Sequence, residues 1–564
     1  MAPRPAPGKR REPPPAPERP PAAPPREIEL KLRLSPADLA ALRARLDALG
    51  PARPAATVDN VYYDTPDLRL AAARAALRLR CIRRGGRRTW LQTFKTEDHG
   101  AALAVRGEWE TPAPGGRLDL RRLAAAPLGA LLGPAAAALA PLFRTVFERV
   151  TWAIEWRGAR IEAALDQGCI EAAGRTEAIL ELELELHAGA PAVLFDLALH
   201  LAGAGPAAPD PGAMQRSRGA GKSRGGTAAE LCLLPYGASK AARGIRLALG
   251  QDALVPVPGL LKRRAARPGG PAQVPAAAPA PDAPNTVLHP GLPLGAAARR
   301  WFALALDPFL ANALGATLVD DPEFVHQARI ALRLMRVGAE LLGRSAVVDF
   351  PPAALRQLQA WARRFGAVRE WDVLCADVLP ALRQASGKGG AAPWERVERA
   401  AAQRRARARL RLQERLRRPD FAAFALHWLR WCASAAPAGD RPLGNYAGKA
   451  LRQQRRRLAK AARGFAGASM ERQHKIRLQA KSLRYAFEML RGVAPDALSD
   501  AELRNLSRFQ DAAGRARDLA LSRAALQRLT RSRSLRRQIA AWTRAQRRTG
   551  LDKARRLAVV LGVA

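Results

Sequence analysis

Several short segments in the first half of the chain alternate strictly between charged and aliphatic residues. EIELKLRL (27–34) places two glutamates, a lysine and an arginine in phase, and ILELELELH (179–187) places three glutamates in phase. Successive side chains of a β-strand point to opposite faces, so each segment predicts a strand with one ionic and one aliphatic face. An antiparallel sheet with its aliphatic side on a core satisfies this pattern.

The charges on these strands are grouped by sign. In-phase carboxylates on one strand repel one another unless a cation lies nearby, and clustered oxygens suit hard divalent cations such as Mg²⁺. Arginine and lysine on other strands, as in ALRLR (76–80) and QTFK (92–95), suit a chain of phosphates. If the sheet closes into a barrel, the ionic faces meet inside it. For any one strand alone, an ionic face in water is the simpler interpretation.

The order of these segments resembles that of CYTH domains, also called triphosphate tunnel metalloenzymes. The resemblance covers about 26–250 and rests on EIELK, YYDTPDLRL, ALRLR, QTFK, RGEWE, FERVTW, IEAALDQG, ELELEL and SKAARG. It implies a closed antiparallel β-barrel, or tunnel, flanked by helices, which hydrolyses triphosphates with Mg²⁺ or Mn²⁺. A Gly/Arg-rich insertion at 205–230 departs from the compact family pattern.

The same resemblance implies roles for individual residues. The expected catalytic residues are Glu27, Glu29, Lys31, Asp166 and Glu183. The expected metal ligands are Glu27, Glu29, Glu181, Glu183 and Glu185. The expected substrate-binding cations are Lys31, Arg78, Arg80, Lys95, Arg149, Lys240 and Arg243, with Glu108 and Glu110 as further acids of the lumen.

The second half of the chain contains an internal duplication. HQARIALRLMR begins at His326 and HKIRLQAKSLR begins at His474, 148 residues later. The same ungapped register relates Gly366 to Gly514, which indicates two copies of one helical unit. On each helix the histidine and the basic residues three, seven and ten positions later form one stripe.

This half resembles CHAD domains through VHQARIALRLMR, FGAVREWDVL, QHKIRLQAKSLRYAFE and FQDAAGRARD, over about 286–564. The resemblance implies an all-α domain of two similar helical bundles that binds inorganic polyphosphate along a basic groove. The residues expected to contact polyphosphate are His326, Arg329, Arg333, Arg336, His474, Arg477, Lys481 and Arg484. Leu334 interrupts the basic run that is usual in the family.

Composition agrees with an acidic partner. The chain has 93 Lys and Arg against 50 Asp and Glu, a net charge of +43, although a GC-rich coding bias is an alternative source of part of this excess. Aromatic residues make up 5%, and the stripes lack interleaved aromatics, so nucleic acid is expected to bind only weakly and non-specifically. The five cysteines form no CxxC pair and no apolar run approaches the ~20 residues of a membrane span. Neither a zinc site nor a membrane partner is therefore expected.

The sequence thus predicts an α+β multidomain protein of the cytoplasm, associated with polyphosphate granules. Its expected parts are a disordered basic tail (1–25), a tunnel domain (26–250), a Pro/Ala-rich linker (251–285) and a helical domain (286–564). The expected function is metal-dependent hydrolysis of inorganic triphosphate, with polyphosphate bound by the helical domain. Two alternatives stay open: a non-catalytic polyphosphate scaffold, and a tunnel enzyme acting on nucleoside triphosphates or thiamine triphosphate, including adenylate cyclisation.

Overall fold

The computed structural model of the chain describes residues 26–96, 103–204, 230–250, 256–257, 288–345, 347–386, 391–436 and 441–563. The predicted basic tail, nearly all of the Gly/Arg-rich insertion, and the Pro/Ala-rich linker apart from residues 256–257 lie outside these ranges.

The first half of the described chain forms one antiparallel sheet. Its strands are β1 (Arg26–Arg33), β2 (Ala56–Asp64), β3 (Ala75–Arg84), β4 (Arg87–Thr96), β5 (Leu103–Pro112), β6 (Ala140–Trp156), β7 (Ala159–Ala172), β8 (Arg175–Ala188) and β9 (Leu234–Pro235). Their order is β5-β4-β3-β2-β6-β7-β8-β1-β9. Strand β5 also pairs with β1, from Arg26 opposite Gly107 to Leu30 opposite Leu103.

Helices α1 (Leu39–Asp47), α2 (Arg69–Ala72), α3 (Leu128–Leu132) and α4 (Ala192–Ala202) cover the aliphatic side of this sheet. Helix α5 (Lys240–Ala248) lies on the ionic side, where it packs against β6 and β7. Leu30 and Leu32 of β1 are fully buried in the same apolar core as Leu197 and Leu201 of α4. The strict alternation of β1 therefore has its expected physical result: the aliphatic residues enter the core, and the ionic residues between them take the other face.

The second half of the described chain is helical. Its helices are α6 (Leu294–Leu318), α7 (Pro322–Leu342), α8 (Pro352–Val373), α9 (Leu379–Ala385), α10 (Ala391–Leu416), α11 (Pro419–Ala433), α12 (Leu443–Arg463), α13 (Met470–Leu490), α14 (Asp500–Leu529) and α15 (Arg533–Val563). Helices α7 and α13 each have 21 residues. The predicted antiparallel sheet domain and the predicted helical domain after it are confirmed.

Helix α6 lies in the core of this helical domain. Trp301, Phe302 and Phe309 are fully buried there, and Phe302 stacks on Trp428 with ring centroids 4.5 Å apart. Among the described residues, α6 is long and apolar enough to span a membrane by length and composition, and 67% of its most apolar stretch is buried. The central helix of a folded bundle meets the same criterion.

The sheet and helical domains share an apolar core. Helix α11 packs against α4 and against β9. Buried residues of α4 and α11 belong to one cluster, against which the partly buried Leu234 of β9 packs. At the edge of this contact, the Asp196 carboxylate of α4 forms ion pairs with Arg430 of α11 and with Arg157. The two domains are therefore joined by packing as well as by the chain.

Candidate functional site

A pocket of about 290 Å³ lies on the ionic side of the sheet. Strands β1 to β8 and the start of α5 all contribute to it. Its lining is Glu27, Glu29, Lys31, Tyr62, Ala76, Arg78, Arg80, Thr93, Lys95, Glu108, Glu110, Phe147, Arg149, Glu162, Glu183, Glu185, Ser239, Lys240 and Ala241. The structure thus brings together most of the residues that the sequence analysis selected for the tunnel.

One side of the pocket is rich in carboxylates. Glu29 stands opposite Glu185, and Lys31 stands opposite Glu183, across the β1–β8 ladder. The Lys31 Nζ atom lies 2.7 Å from Glu29 Oε1 and 2.6 Å from Glu183 Oε1. Burial raises the pKa of Glu185 to about 7, and the carboxylates of Glu27, Glu108 and Glu29 act in the same direction. Negative charge is therefore in local excess around Glu185.

The facing side of the pocket is rich in guanidinium groups. Arg78 Nη2 lies 3.6 Å from Glu108 Oε1, and Arg80 Nε donates a 2.8 Å hydrogen bond to the Asn60 side-chain oxygen. Burial lowers the pKa of Arg80 to about 10, and the neighbouring charges of Arg78 and Arg149 lower it further. Among the described residues, no carboxylate forms an ion pair with Arg80. An anion in the pocket would supply the missing countercharge.

Lysine and arginine bridge these two sides. Lys95 Nζ lies 2.7 Å from Glu27 Oε2 and 3.1 Å from Glu108 Oε2. Arg149 donates two hydrogen bonds to Asp166, of 2.7 and 2.6 Å, and one of 2.6 Å to Glu183. Such charge-assisted, bidentate bonds fix the orientation of the guanidinium group.

Three of the predicted site residues lie behind the pocket wall and do not line it. Asp166, Glu181 and Arg243 are at most 2% exposed. Lys240 Nζ lies 2.7 Å from Asp166 Oδ2 and 3.0 Å from Glu183 Oε1, and it also pairs with Glu181. The carboxylates of Asp166, Glu181 and Glu183 lie close enough together to hold a metal ion, but the Lys240 ammonium group contacts all three.

In the helical domain, the two predicted stripes converge. Helix α7 packs against α13, which brings Arg329 and Arg333 of α7 near Arg477 and Lys481 of α13. Burial lowers the pKa of Lys481 to about 6, and the charges of Arg333, Arg477, Arg484 and Arg329 lower it further.

The ends of the stripes have different surroundings. On α7, His326 is half-buried and Arg336 is exposed. On α13, burial and the charge of Arg517 lower the pKa of His474 to about 4. Arg484 Nη1 pairs with Glu488 at 2.8 Å, so Arg484 already has a carboxylate partner.

The repeat glycines make room for the repeat arginines. A Cβ atom on Gly366 would lie 2.8 Å from Arg329 Nη1, and one on Gly514 would lie 2.9 Å from Arg477 Nη2. Both distances are shorter than real Cβ contacts allow, so each glycine lets a guanidinium group cross the neighbouring helix. In both repeats, a glycine at the equivalent position therefore makes room for the equivalent arginine.

Family models match both parts of the chain. Residues 25–203 match the model described as CYTH domain, and residues 300–527 match the model described as CHAD domain. The chain carries a CYTH domain followed by a CHAD domain. The resemblance drawn from the sequence motifs is thus confirmed.

Relatives and solved structures cover parts of the chain. An inorganic triphosphatase of Haemophilus influenzae is 33% identical over 181 residues, which are 30% of this chain and 47% of that protein. The chain thus spans about half the length of this curated relative. The CHAD domain structure from the plant Ricinus communis is 23% identical, covering 48% of this chain and 93% of that one with a TM-score of 0.41. A Hippeastrum protein with a dominant triphosphatase activity is 22% identical, covering 29% of this chain and 80% of that one with a TM-score of 0.20.

The CYTH pocket has a donor set that fits a hard divalent cation. Glu27, Glu29 and Glu185 offer carboxylate oxygens along the wall where the pKa of Glu185 is raised. Oxygen ligands with an excess of negative charge are those that Mg²⁺ and Mn²⁺ prefer. The Asp166–Glu181–Glu183 group contacts three cations, Lys240, Arg149 and Arg243, whereas Glu27 and Glu29 of this wall pair with Lys95 and Lys31.

Four polar residues that line the CYTH pocket were missed by the sequence analysis: Tyr62, Thr93, Glu162 and Ser239. Tyr62 is in phase with Asn60 on β2, and Thr93 is in phase with Lys95 on β4, so alternation carried a signal for both. Ser239 accepts a hydrogen bond from the Ala242 amide and caps the first turn of α5. Glu162 is in phase with Asp166 on β7, so alternation carried a signal for this residue as well.

Proposed function

We propose that the CYTH domain hydrolyses inorganic triphosphate with a divalent metal ion, and that the CHAD domain binds inorganic polyphosphate. The observation that carries the first part is the polarity of the pocket, with clustered carboxylates at Glu27, Glu29 and Glu185 facing the guanidinium groups of Arg78 and Arg80. The domain limits in this proposal are 26–250 and 286–564, joined by a linker at 251–285.

The proposal includes a tunnel. The pairing of β5 with β1 joins the first strand of the sheet order to its penultimate strand. From that pairing we infer that the eight long strands surround the pocket, to which all of them contribute side chains. A closed sheet with its ionic faces inward would shield the phosphates from bulk water.

The metal in this proposal is Mg²⁺ or Mn²⁺, held by Glu27, Glu29, Glu183 and Glu185. When bound, such an ion neutralises phosphate oxygens and helps to generate hydroxide from water. The protein's own cations would orient the substrate: Arg78 and Arg80 would face the phosphate chain, and Lys31, Lys95 and Arg149 also line the pocket. Fixed cations of this kind stabilise the charge that spreads over the transferred phosphoryl group.

The pocket lining favours an inorganic substrate over a nucleotide. Its two aromatic residues, Tyr62 and Phe147, are 5% and 2% exposed. Tyr62 already stacks on Phe143 with ring centroids 4.4 Å apart. Neither ring offers a free face for a base, which supports inorganic triphosphate before nucleoside or thiamine triphosphates.

Polyphosphate binding is supported by the convergence of the two CHAD stripes. Four cationic side chains of α7 and α13 crowd together, and burial disfavours their charge unless an anion is present. We infer that the polymer supplies this countercharge along the groove and that binding weakens steeply with salt, as for other polyanions. A location in the cytoplasm, at polyphosphate granules, belongs to the same proposal.

The catalytic proposal is tested with the purified full chain. Phosphate release is measured from inorganic triphosphate, ATP and thiamine triphosphate, each with Mg²⁺, Mn²⁺ or EDTA. We expect the highest kcat/KM for inorganic triphosphate and no release in EDTA. Glu29→Gln should abolish release and leave polyphosphate binding unchanged. Binding of triphosphate without turnover by the unmodified chain would support the scaffold alternative.

The polyphosphate proposal is tested by combined replacement of His474, Arg477 and Lys481 with alanine. Affinity for a long polyphosphate chain should fall by roughly a hundredfold or more, since several charge-assisted contacts are lost together. Triphosphate hydrolysis should be retained. Lys475→Ala is the matched control, because Lys475 lies on α13 with its side chain 68% exposed. Equal affinity of the triple variant and the control would place the groove elsewhere.

A further inference from the structure

We propose that the CHAD domain positions α5, the helix that brings Lys240 into the CYTH pocket, through contacts made on both sides of α5. Asn312 of the CHAD domain is thereby a positioning residue for triphosphate binding. This inference rests on the proposed function of the pocket.

Helix α5 is short and depends on tertiary contacts. It has nine residues, and isolated helices of this length are marginal in water. Lys240 reaches the acid group behind the pocket, and Arg243 pairs with Glu177 at 2.7 Å and with Glu181 at 3.0 Å. Small displacements of α5 would therefore move two cations relative to the carboxylates that they balance.

The segment before α5 lies against the CHAD domain. Leu231 and Leu233 are buried in the same cluster as Phe421 and Phe424 of α11, and α11 packs against β9. On its other side this segment is tied to the strand that carries Lys31, since the Tyr236 amide donates a 2.9 Å hydrogen bond to the Lys31 carbonyl. The chain that enters α5 is thus held between the pocket strand and the CHAD helix.

The segment after α5 is also held by the CHAD domain. The Val257 amide donates a 3.1 Å hydrogen bond to Asn312 Oδ1, and Asn312 Nδ2 donates a 2.9 Å bond to the Val257 carbonyl. Asn312 belongs to α6 and is fully buried. Only residues 251–256 separate Val257 from Gly250, the last described residue after α5. A buried amide that pairs with both backbone groups of one residue fixes the position of that residue.

Two CHAD helices, α11 and α6, therefore hold the chain on either side of α5. The position of Lys240 is set jointly by the CYTH carboxylates and by the CHAD helices, so that the CHAD domain is part of the framework of the triphosphate site.

The first experiment removes the anchor in the full chain. Asn312→Ala should raise the dissociation constant and the KM for inorganic triphosphate about fivefold, as expected for a shift of ~1 kcal/mol, with a smaller change in kcat. Gln413→Ala is the matched control, because Gln413 donates a 3.1 Å hydrogen bond to the Ala316 carbonyl of the same helix and has no described contact with α5. Equal dissociation constants for the two variants would overturn the inference.

A double-mutant cycle separates positioning from general destabilisation. In a Lys240→Met background, Asn312→Ala should have no further effect on the triphosphate dissociation constant, because its effect acts through Lys240. An undiminished effect would show that Asn312 acts by another route and would contradict the inference.

Hydrogen exchange gives a readout that needs no ligand. Val257→Pro removes the backbone N–H group that donates to Asn312 and leaves the CHAD core unchanged. This variant replaces Asn312→Ala in the experiment if Asn312→Ala fails to fold. Amides 241–248 should exchange about fivefold faster in either variant than in the Gln413→Ala control, because local opening is easier. Unchanged exchange would overturn the positioning role of Asn312. Because no triphosphate is present in this measurement, its result does not depend on whether the CYTH domain binds or hydrolyses triphosphate. Absence of triphosphate binding by the unmodified chain would refute the proposed function alone.

Discussion

Glu29 and Glu185 stand directly opposite each other across the β1–β8 ladder, so two carboxylates share one position in the wall of the pocket. Like charges in this arrangement are unfavourable. Burial is the main cause of the raised pKa of Glu185, and the charges of Glu27, Glu108 and Glu29 add to it. A divalent cation bound between the strands would remove the repulsion.

Magnesium should therefore stabilise the folded chain, and Glu29→Gln should abolish this effect. At 100 times its dissociation constant, a ligand that binds only the folded state adds about 2.7 kcal/mol to the free energy of unfolding. Thermal unfolding with Mg²⁺ or EDTA measures the shift in Tm. Glu148→Gln, at an exposed position of β6, should retain the increase in Tm that Mg²⁺ causes. An equal increase in Tm in the Glu29→Gln and Glu148→Gln variants would show that Glu29 is not a metal ligand.

Polyphosphate binding should be accompanied by proton uptake at Lys481. Because its pKa is lowered to about 6, this side chain is mostly neutral in the free protein above pH 6. Phosphate oxygens stabilise the ammonium form and raise the pKa, so that binding takes up a proton and affinity falls as the pH rises above 6. Below pH 6 the group is already charged, and uptake should vanish.

Calorimetry at pH 7.5 in buffers of different ionisation enthalpy measures the protons taken up. Lys481→Met should reduce the uptake by about one proton per site. Lys475→Met, on the exposed face of the same helix, should leave it unchanged. Identical enthalpies in all buffers would contradict the role of Lys481.

Gly514→Ala should weaken polyphosphate binding with little loss of stability. The added Cβ atom would lie 2.9 Å from the end of the Arg477 side chain, and a flexible side chain can move away. We expect a change of less than about 1 kcal/mol in the free energy of unfolding and a several-fold lower affinity. Gly467→Ala is the control, since a Cβ atom there meets nothing within 4 Å. Unchanged affinity of Gly514→Ala would show that the position of Arg477 is unimportant.

Gly244→Ala should damage the triphosphate site directly. A Cβ atom on Gly244 would lie 2.1 Å from the buried ring of Phe143, so α5 would have to move away from β6. Overpacking of this kind costs about 1–3 kcal/mol of stability, and triphosphate binding should weaken because Lys240 moves with the helix. Chemical denaturation and triphosphate titration measure the two effects. Gly129→Ala, where a Cβ atom meets nothing within 4 Å, should change neither.

Much of this organisation could be predicted because it is local. The alternation in EIELKLRL fixes which face of β1 is ionic wherever the strand lies in the sheet, since side chains of a strand alternate by geometry alone. The spacing of His474, Arg477 and Lys481 likewise fixes a stripe on α13 before any tertiary contact is known. Ordered motifs then identified both families correctly.

What the sequence could not determine was which charges neutralise each other. Lys240 and the Asp166–Glu181–Glu183 group are far apart in the chain, and only the folded sheet shows that this ammonium group contacts all three carboxylates. The contact of Asn312 with Val257 could not be predicted either, because neither residue belongs to a sequence motif or to a periodic pattern. The sequence by itself determined the faces of the strands and helices, since these follow from local periodicity. Tertiary structure alone decided which faces meet, because long-range packing sets the distances on which ion pairing and burial depend.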